Sequence, residues 1–174
     1  LVKEEKAVLI KSATGVDLKE FSMSAVQPAE LDSLRIEIEA APHAPVVLMA
    51  GRLFWSKGIR EYFDAAKMLE KEFPDARFLL VGPPEEGSPE AVPGSYFKEQ
   101  MDARIRWLGF RTDMRRLMAL ADVFVLPSYY GEGLPQVLQE ATAFGKAIIT
   151  TDNVGCREAV EHDWNGYLIP VRDT

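Results

Sequence analysis

Two cations and two carboxylates stand where the chain changes from one kind of element to another. Arg52 and Lys57 fall in GRLFWSKG, directly after the apolar run VVLMA at 46–50, and Glu132 and Glu140 fall in GEGLPQVLQEATAFG, after the run ADVFVL at 121–126. Cations beside a helix start suit an anion, because unpaired backbone N–H groups and the helix macrodipole add to the side-chain charges; solvated surface charges are the other reading of the pair. Glu132 lies between Gly131 and Gly133, in a loop whose backbone can come close to a ligand. Val137, Glu140, Ala141 and Phe144 recur at steps of three and four, so a helix there carries Glu140 on an apolar stripe. A carboxylate in that setting is costly unless donors reach it. Vicinal hydroxyls of a ribose or a hexose would satisfy it in pairs; an internal ion pair with Lys146 or Lys57 is the alternative.

The elements that must position these groups are readable from periodicity. The runs at 46–50, 76–81, 121–126 and 146–150 are apolar on both faces, as buried parallel strands are, with weaker candidates at 7–10, 104–109 and 166–170. Between them Ile59, Tyr62, Phe63, Ala66, Leu69 and Phe73 follow a helical period that Pro74 should end. A second helix is expected after Thr112 or Asp113 as N-cap, and a third from Pro135 to the stop at Gly145. A modest helix should precede the APHAP loop at 41–45, and the proline-rich stretch 82–97 reads as a surface loop beside the ligand edge. Strand and helix in alternation give an α/β fold, a doubly wound Rossmann-like parallel sheet with helices on both faces and ligands beyond the carboxyl ends of its strands.

Bulk properties narrow the chemistry. The 174 residues suffice for one core, and a net charge of -7 with pI near 5.0 gives no basic stripe for nucleic acid. One cysteine, Cys156, permits no internal disulfide, and no apolar run approaches a transmembrane length, so a reducing cytoplasm is expected. His43 and His162 read as surface or turn residues, and two acids without a histidine make a thin metal shell, so no metal is expected. The chain has no G-x-S-x-G elbow, no G-x-x-x-x-G-K-[ST] loop and no G-x-G-x-x-G fingerprint. It starts at Leu1 and stops just after an expected strand, which suggests a piece of something longer.

In this order, GRLFWSKG, ARFLLVG, IRWLGF and DMRRLMALADVFVLPSYYGEGLPQVLQEATAFGKAIITTDNVGCREAVEHDWNGYLIP resemble the carboxyl-terminal, donor-binding domain of family 4 glycosyltransferases, the retaining GT-B group. The resemblance covers about 46–170, and GVDLKEF is similar to the segment that leads into that domain. It implies one nucleotide-sugar-binding unit over 1–174, with 1–45 as lead-in and linker, and an amino-terminal acceptor domain absent from this chain. Arg52 and Lys57 would hold the diphosphate and neutralise charge as the glycosidic bond breaks, and Glu140 would accept from the ribose. Glu132 would meet the transferred sugar as a ligand rather than a nucleophile, Gly133 and Leu134 would offer N–H groups, and the base would lie against Gly109, Phe110 and Arg111. The resemblance further implies no metal or other cofactor and a saccharide or lipid-linked saccharide acceptor. Its relatives build bacterial surface or lipid-linked glycans, with the full-length enzyme at the inner membrane face. A UDP-sugar is the favoured donor, UDP-N-acetylhexosamine in particular, and the fragment is expected to bind without transferring. The rival readings are an NAD-type dinucleotide-binding domain of an oxidoreductase, which the missing glycine fingerprint opposes, and a non-enzymatic α/β scaffold.

Overall fold

The computed structural model of the chain describes residues 15–131 and 133–174; the strand candidate at 7–10 and Glu132 lie outside the described residues. The elements run α1 (Pro28–Glu37), β1 (Val46–Ala50), α2 (Ile59–Met68), β2 (Arg77–Val81), α3 (Gly94–Gln100), β3 (Ile105–Trp107), α4 (Met114–Leu120), β4 (Val123–Leu126), α5 (Gln136–Ala143), β5 (Ala147–Thr151) and β6 (Gly166–Ile169). All six strands are parallel, in the order β3-β2-β1-β4-β5-β6. The order reverses between β1 and β4, which makes their carboxyl ends the switch point of a doubly wound sheet. The sequence therefore foretells the fold class, including the two weak edge strands.

Helix α2 buries Ile59, Tyr62, Phe63 and Ala66 on the face that the sequence pattern indicates. The Tyr62 hydroxyl lies 3.0 Å from the carbonyls of both Val47 and Leu79, at the seam between β1 and β2. The helix stops at Met68, short of Pro74, because the apolar stripe runs out: Met68 and Phe73 are exposed, and the chain closes in a turn with the Phe73 N–H donating to the Leu69 carbonyl. At α4 the N-cap is Asp113 rather than Thr112, and it makes no side-chain cap bond.

The stretch 82–97 departs most from expectation. Its last residues begin α3, with Pro93 as N-cap, and Phe97 is fully buried against Trp107 at a ring separation of 4.7 Å. Prolines hide this helix, which has only seven residues and forms because Tyr96 and Phe97 can join the aromatic cluster of Trp55 and Phe63. The remainder is no free loop either. Ala91 bridges Phe54, the Trp55 N–H donates to the Glu90 carbonyl and the Val92 N–H donates to the Leu53 carbonyl.

One glycine governs how the two halves of the sheet meet. Gly58, the N-cap of α2, has φ of 81°, and a Cβ there would stand 2.3 Å from the Pro127 carbonyl oxygen. Gly58→Ala therefore meets both left-handed strain and a backbone clash, and should cost roughly 2 to 4 kcal/mol. The loss would be read in a denaturant titration; a change below about 1 kcal/mol would show that the turn yields.

Candidate functional site

A cleft of about 350 Å3 opens at the carboxyl ends of the first three strands. Ala50, Gly51 and Arg52 line it from β1, Val81, Gly82 and Pro83 from β2, Phe110, Arg111 and Met114 from the β3–α4 turn, and Gln136, Val137 and Glu140 from α5. Its floor is a row of backbone bonds: the Gly51 N–H donates to the Val81 carbonyl and the Gly82 N–H to the Gly109 carbonyl. Gly82 must be glycine for this, since a Cβ would lie 2.0 Å from the Gly51 carbonyl oxygen. A separate cavity of about 380 Å3 between α2 and the sheet is lined almost wholly by apolar side chains such as Val47, Phe73, Val125 and Ile149. Convergent polar groups that could orient a ligand lie in the first cleft, not in the second.

Arg52 is exposed, with its guanidinium 4.7 Å from the ring centroid of Phe54, and the Phe54–Ala91 bridge fixes the loop that carries it. Lys57 closes the short 3-10 turn Trp55–Lys57; it is buried, with its ammonium 5.6 Å from the Tyr130 ring centroid. The carbonyl of Ser56, one residue earlier, accepts from the N–H groups of Tyr129 and Tyr130 and from the Ser128 hydroxyl. The loop leaving β4 is held from the other side too, by the Thr151 hydroxyl on the Ser128 carbonyl and by the Asn153 amide on the Tyr130 carbonyl. Two anchored loops thus flank the switch point. Lys57, Gly109, Gly133 and Leu134 are not part of the cleft lining.

Glu140 lies on the buried face of α5 at 7% exposure, as the helical spacing indicates. Burial pushes its carboxyl up; a hydrogen bond with Gln136 pulls it down, and Glu20 pushes it up again. The Lys146 partner is not realised, because that ammonium donates to the Ala119 carbonyl at 2.9 Å. Gln136 went unnoticed in the sequence reading, although its spacing of one helical turn before Glu140 is the signal that could have found it.

Arg111 differs from a free cation. Its Nε and one terminal nitrogen donate to the two carboxylate oxygens of Asp113, both at 2.8 Å, and the other terminal nitrogen donates to Glu37 at 2.5 Å. The Asp113 bond, then the Glu37 bond, hold the guanidinium up, and Asp113 is held below its ordinary range chiefly by Arg111. Glu37 lies on α1, 74 residues away in sequence, so no local pattern could signal it. Phe110 beside it is 69% exposed. Among the described residues no group of three His, Cys, Asp or Glu side chains could hold a metal ion, and no helix is long and apolar enough to cross a membrane.

The sheet order and its strand-end cleft define a doubly wound, Rossmann-like domain. The family described as Glycosyl transferases group 1 matches residues 44–174, and the chain belongs to that family. It is 36% identical over 167 residues to the N,N'-diacetylbacillosaminyl-diphospho-undecaprenol alpha-1,3-N-acetylgalactosaminyltransferase of Campylobacter jejuni, covering 95% of this chain and 41% of that protein. To the UDP-Gal:alpha-D-GlcNAc-diphosphoundecaprenol alpha-1,3-galactosyltransferase of Escherichia coli it is 30% identical over 165 residues, covering 91% of this chain and 40% of that protein. The chain spans about two fifths of the length of these curated relatives. Its structural neighbours are GT-B glycosyltransferases, among them Anabaena Alr3699/HepE in complex with UDP and with UDP-glucose, at TM-score 0.80 and 28% identity over 93% of this chain and 43% of that one.

The buried carboxyl gives a stability test. A raised acid costs stability while ionised, fully above its shifted range and not at all well below its ordinary value of 4.5. Glu140→Gln should therefore unfold at a higher temperature than the parent at pH 7, and the gain should shrink as pH falls towards 4.5. Equal melting temperatures at pH 7 would show that the carboxylate is fully solvated or paired.

Proposed function

We propose that this chain is the donor-binding domain of a retaining glycosyltransferase and binds a nucleoside-diphosphate sugar, UDP-linked, in the strand-end cleft. The observation that carries the proposal is the convergence of Arg52, the Phe110–Arg111 turn and Glu140 on one cleft beside the switch point. Adjacent strands lie ~4.8 Å apart, so the turn after β3 stands roughly 10 Å from the β1 end, about the span between a diphosphate and its base. Arg52 and Lys57 take the diphosphate, Glu140 accepts from the ribose hydroxyls and the base lies along Gly109, Phe110 and Arg111. Gly133 and Leu134 offer backbone N–H groups to the phosphate and sugar, and the motif assigns Glu132 to the sugar hydroxyls. The UDP and UDP-glucose in Alr3699/HepE support the choice of base. The relative named for N-acetylgalactosaminyl transfer supports an N-acetylhexosamine as the sugar.

In this reading the bond from the anomeric carbon to the diphosphate oxygen breaks with its electron pair passing to the diphosphate, where two cations compensate the growing charge. The acceptor hydroxyl attacks from the face the diphosphate leaves, and its proton passes to the departing phosphate oxygen, which retains configuration. We assign the acceptor, a saccharide or lipid-linked saccharide, to the rest of the full-length enzyme, and expect the present chain to bind donor without transferring it.

Calorimetric titration with UDP, uridine, ADP, GDP and NAD tests the assignment. UDP should bind with a Kd of roughly 0.01 to 1 mM, corresponding to about 4 to 7 kcal/mol. Arg52→Ala and Lys57→Ala should weaken UDP at least about tenfold while changing uridine little, since each removes a charge-assisted contact to the diphosphate alone. Equal losses for UDP and uridine would reject those roles, and binding of NAD alone would move the chain to the dinucleotide class. Because side-chain cations supply the positive charge, UDP affinity should be the same within error in EDTA and in Mg2+; a requirement for the metal would contradict the site.

A further inference from the structure

The cleft contains one aromatic whose position is fixed from both sides, on one of them by acids that do not themselves line it. Phe110 is 69% exposed at the cleft wall. On its amino side Gly109, at φ of 68°, accepts the Gly82 N–H at 2.9 Å. On its carboxyl side Arg111 is gripped by Asp113 and Glu37. Asp113 is itself secured by Arg116 at 3.1 Å, which also donates to the Glu30 carbonyl on α1 at 3.1 Å. Arg106 on β3 donates to the Glu37 carbonyl at 3.2 Å, so the end of α1 that bears Glu37 is itself tied to the sheet.

This chain of charges makes Arg111 a poor phosphate ligand. Three of its five N–H donors are spent on two carboxylates, and a guanidinium flanked by two acids exerts little net attraction on an anion. Its side chain is only 18% accessible. What the arrangement does achieve is a rigid backbone from Gly109 to Arg111, with an aromatic face and peptide groups held at fixed places. Bases are distinguished by hydrogen bonds to their edges, which demand fixed donors and acceptors, whereas stacking on an aromatic face tolerates any base.

We propose that Glu37 and Asp113 are positioning residues which act through Arg111 to set the nucleobase selectivity of the cleft, without touching the ligand. The proposal rests on the nucleotide-binding reading above. It assigns two separable jobs: Arg52 and Lys57 supply affinity for the diphosphate, and the clamped turn supplies preference among bases.

The test is titration of the 174-residue chain and its Asp113→Asn and Glu37→Gln variants with UDP, ADP and inorganic pyrophosphate. The parent should prefer UDP over ADP. In each variant that ratio should fall about tenfold, as expected when preorganised contacts are loosened, while pyrophosphate affinity stays within about twofold. A general loss of stability lowers all affinities by one factor and leaves the ratio alone, so a preserved ratio overturns the proposal. Should Asp113→Asn fail to fold by circular dichroism, Glu37→Gln decides, since it takes the charge from the acceptor of a single bond at a side chain that is 45% accessible. A parent that binds UDP and ADP alike overturns base selection by the turn while leaving the site assignment standing. A parent that binds none of the three overturns both.

Discussion

The site depends on a backbone contact made possible by a missing side chain. Where the strand order reverses, the turn after β1 and the loop after β4 must leave the sheet side by side, and Gly58 lies against the Pro127 carbonyl at a distance no Cβ could share. The same approach brings the Ser56 carbonyl under three donors of the β4 loop. Lys57, between these two residues, is fixed by its neighbours on both sides rather than by its own flexible stem. Cation placement of this kind costs little conformational entropy when a ligand arrives, because the backbone has already lost it on folding.

Electrostatically the domain works against its own bulk. With a net charge of -7 it would repel an anion at long range. Arg52 in the cleft lining and Lys57 over the Tyr130 ring are local cations against this bulk charge, whereas the third candidate cation, Arg111, is consumed by internal pairs. Glu140 is the opposite case, a carboxylate kept where burial disfavours its charge. Residues held at such a disadvantage are expected at sites of function, where a ligand supplies the missing partners.

How much of this the sequence discloses follows from the range of the interactions involved. Strands such as 46–50 and the α2 face are written in local periodicity, because burying an apolar run or stripe is a local property of the residue pattern. Arg52 and Glu140 were legible for the same reason: one follows a strand, the other sits on an apolar helical face. Helix α3 was not, since its seven residues follow a proline-rich stretch and gain stability from rings outside the helix, Trp107 and Phe63 among them. Nor was the neutralisation of Arg111, which depends on a glutamate 74 residues away. The absence of a Glu140–Lys146 pair likewise reflects geometry that spacing cannot specify, since that ammonium faces α4. Resemblance to a family supplied roles for Gly133 and Leu134 that residue pattern alone did not.

The central position of β1 has a consequence for biosynthesis. Val46 donates its N–H to the Asp122 carboxylate across 76 residues of chain, and β1 pairs with β4 along that edge. At a ribosomal rate of about 5 to 20 residues per second, one edge of this wholly apolar strand stays open for roughly 4 to 15 s after it emerges. During that interval β2 can already zip onto the opposite edge, leaving a half-sheet with an unpaired hydrophobic margin of the kind that recruits foreign strands. Newly made chains are therefore most exposed to misassembly just before β4 arrives, and the strand-end cleft is completed later still, once α5 brings Gln136, Val137 and Glu140 to it.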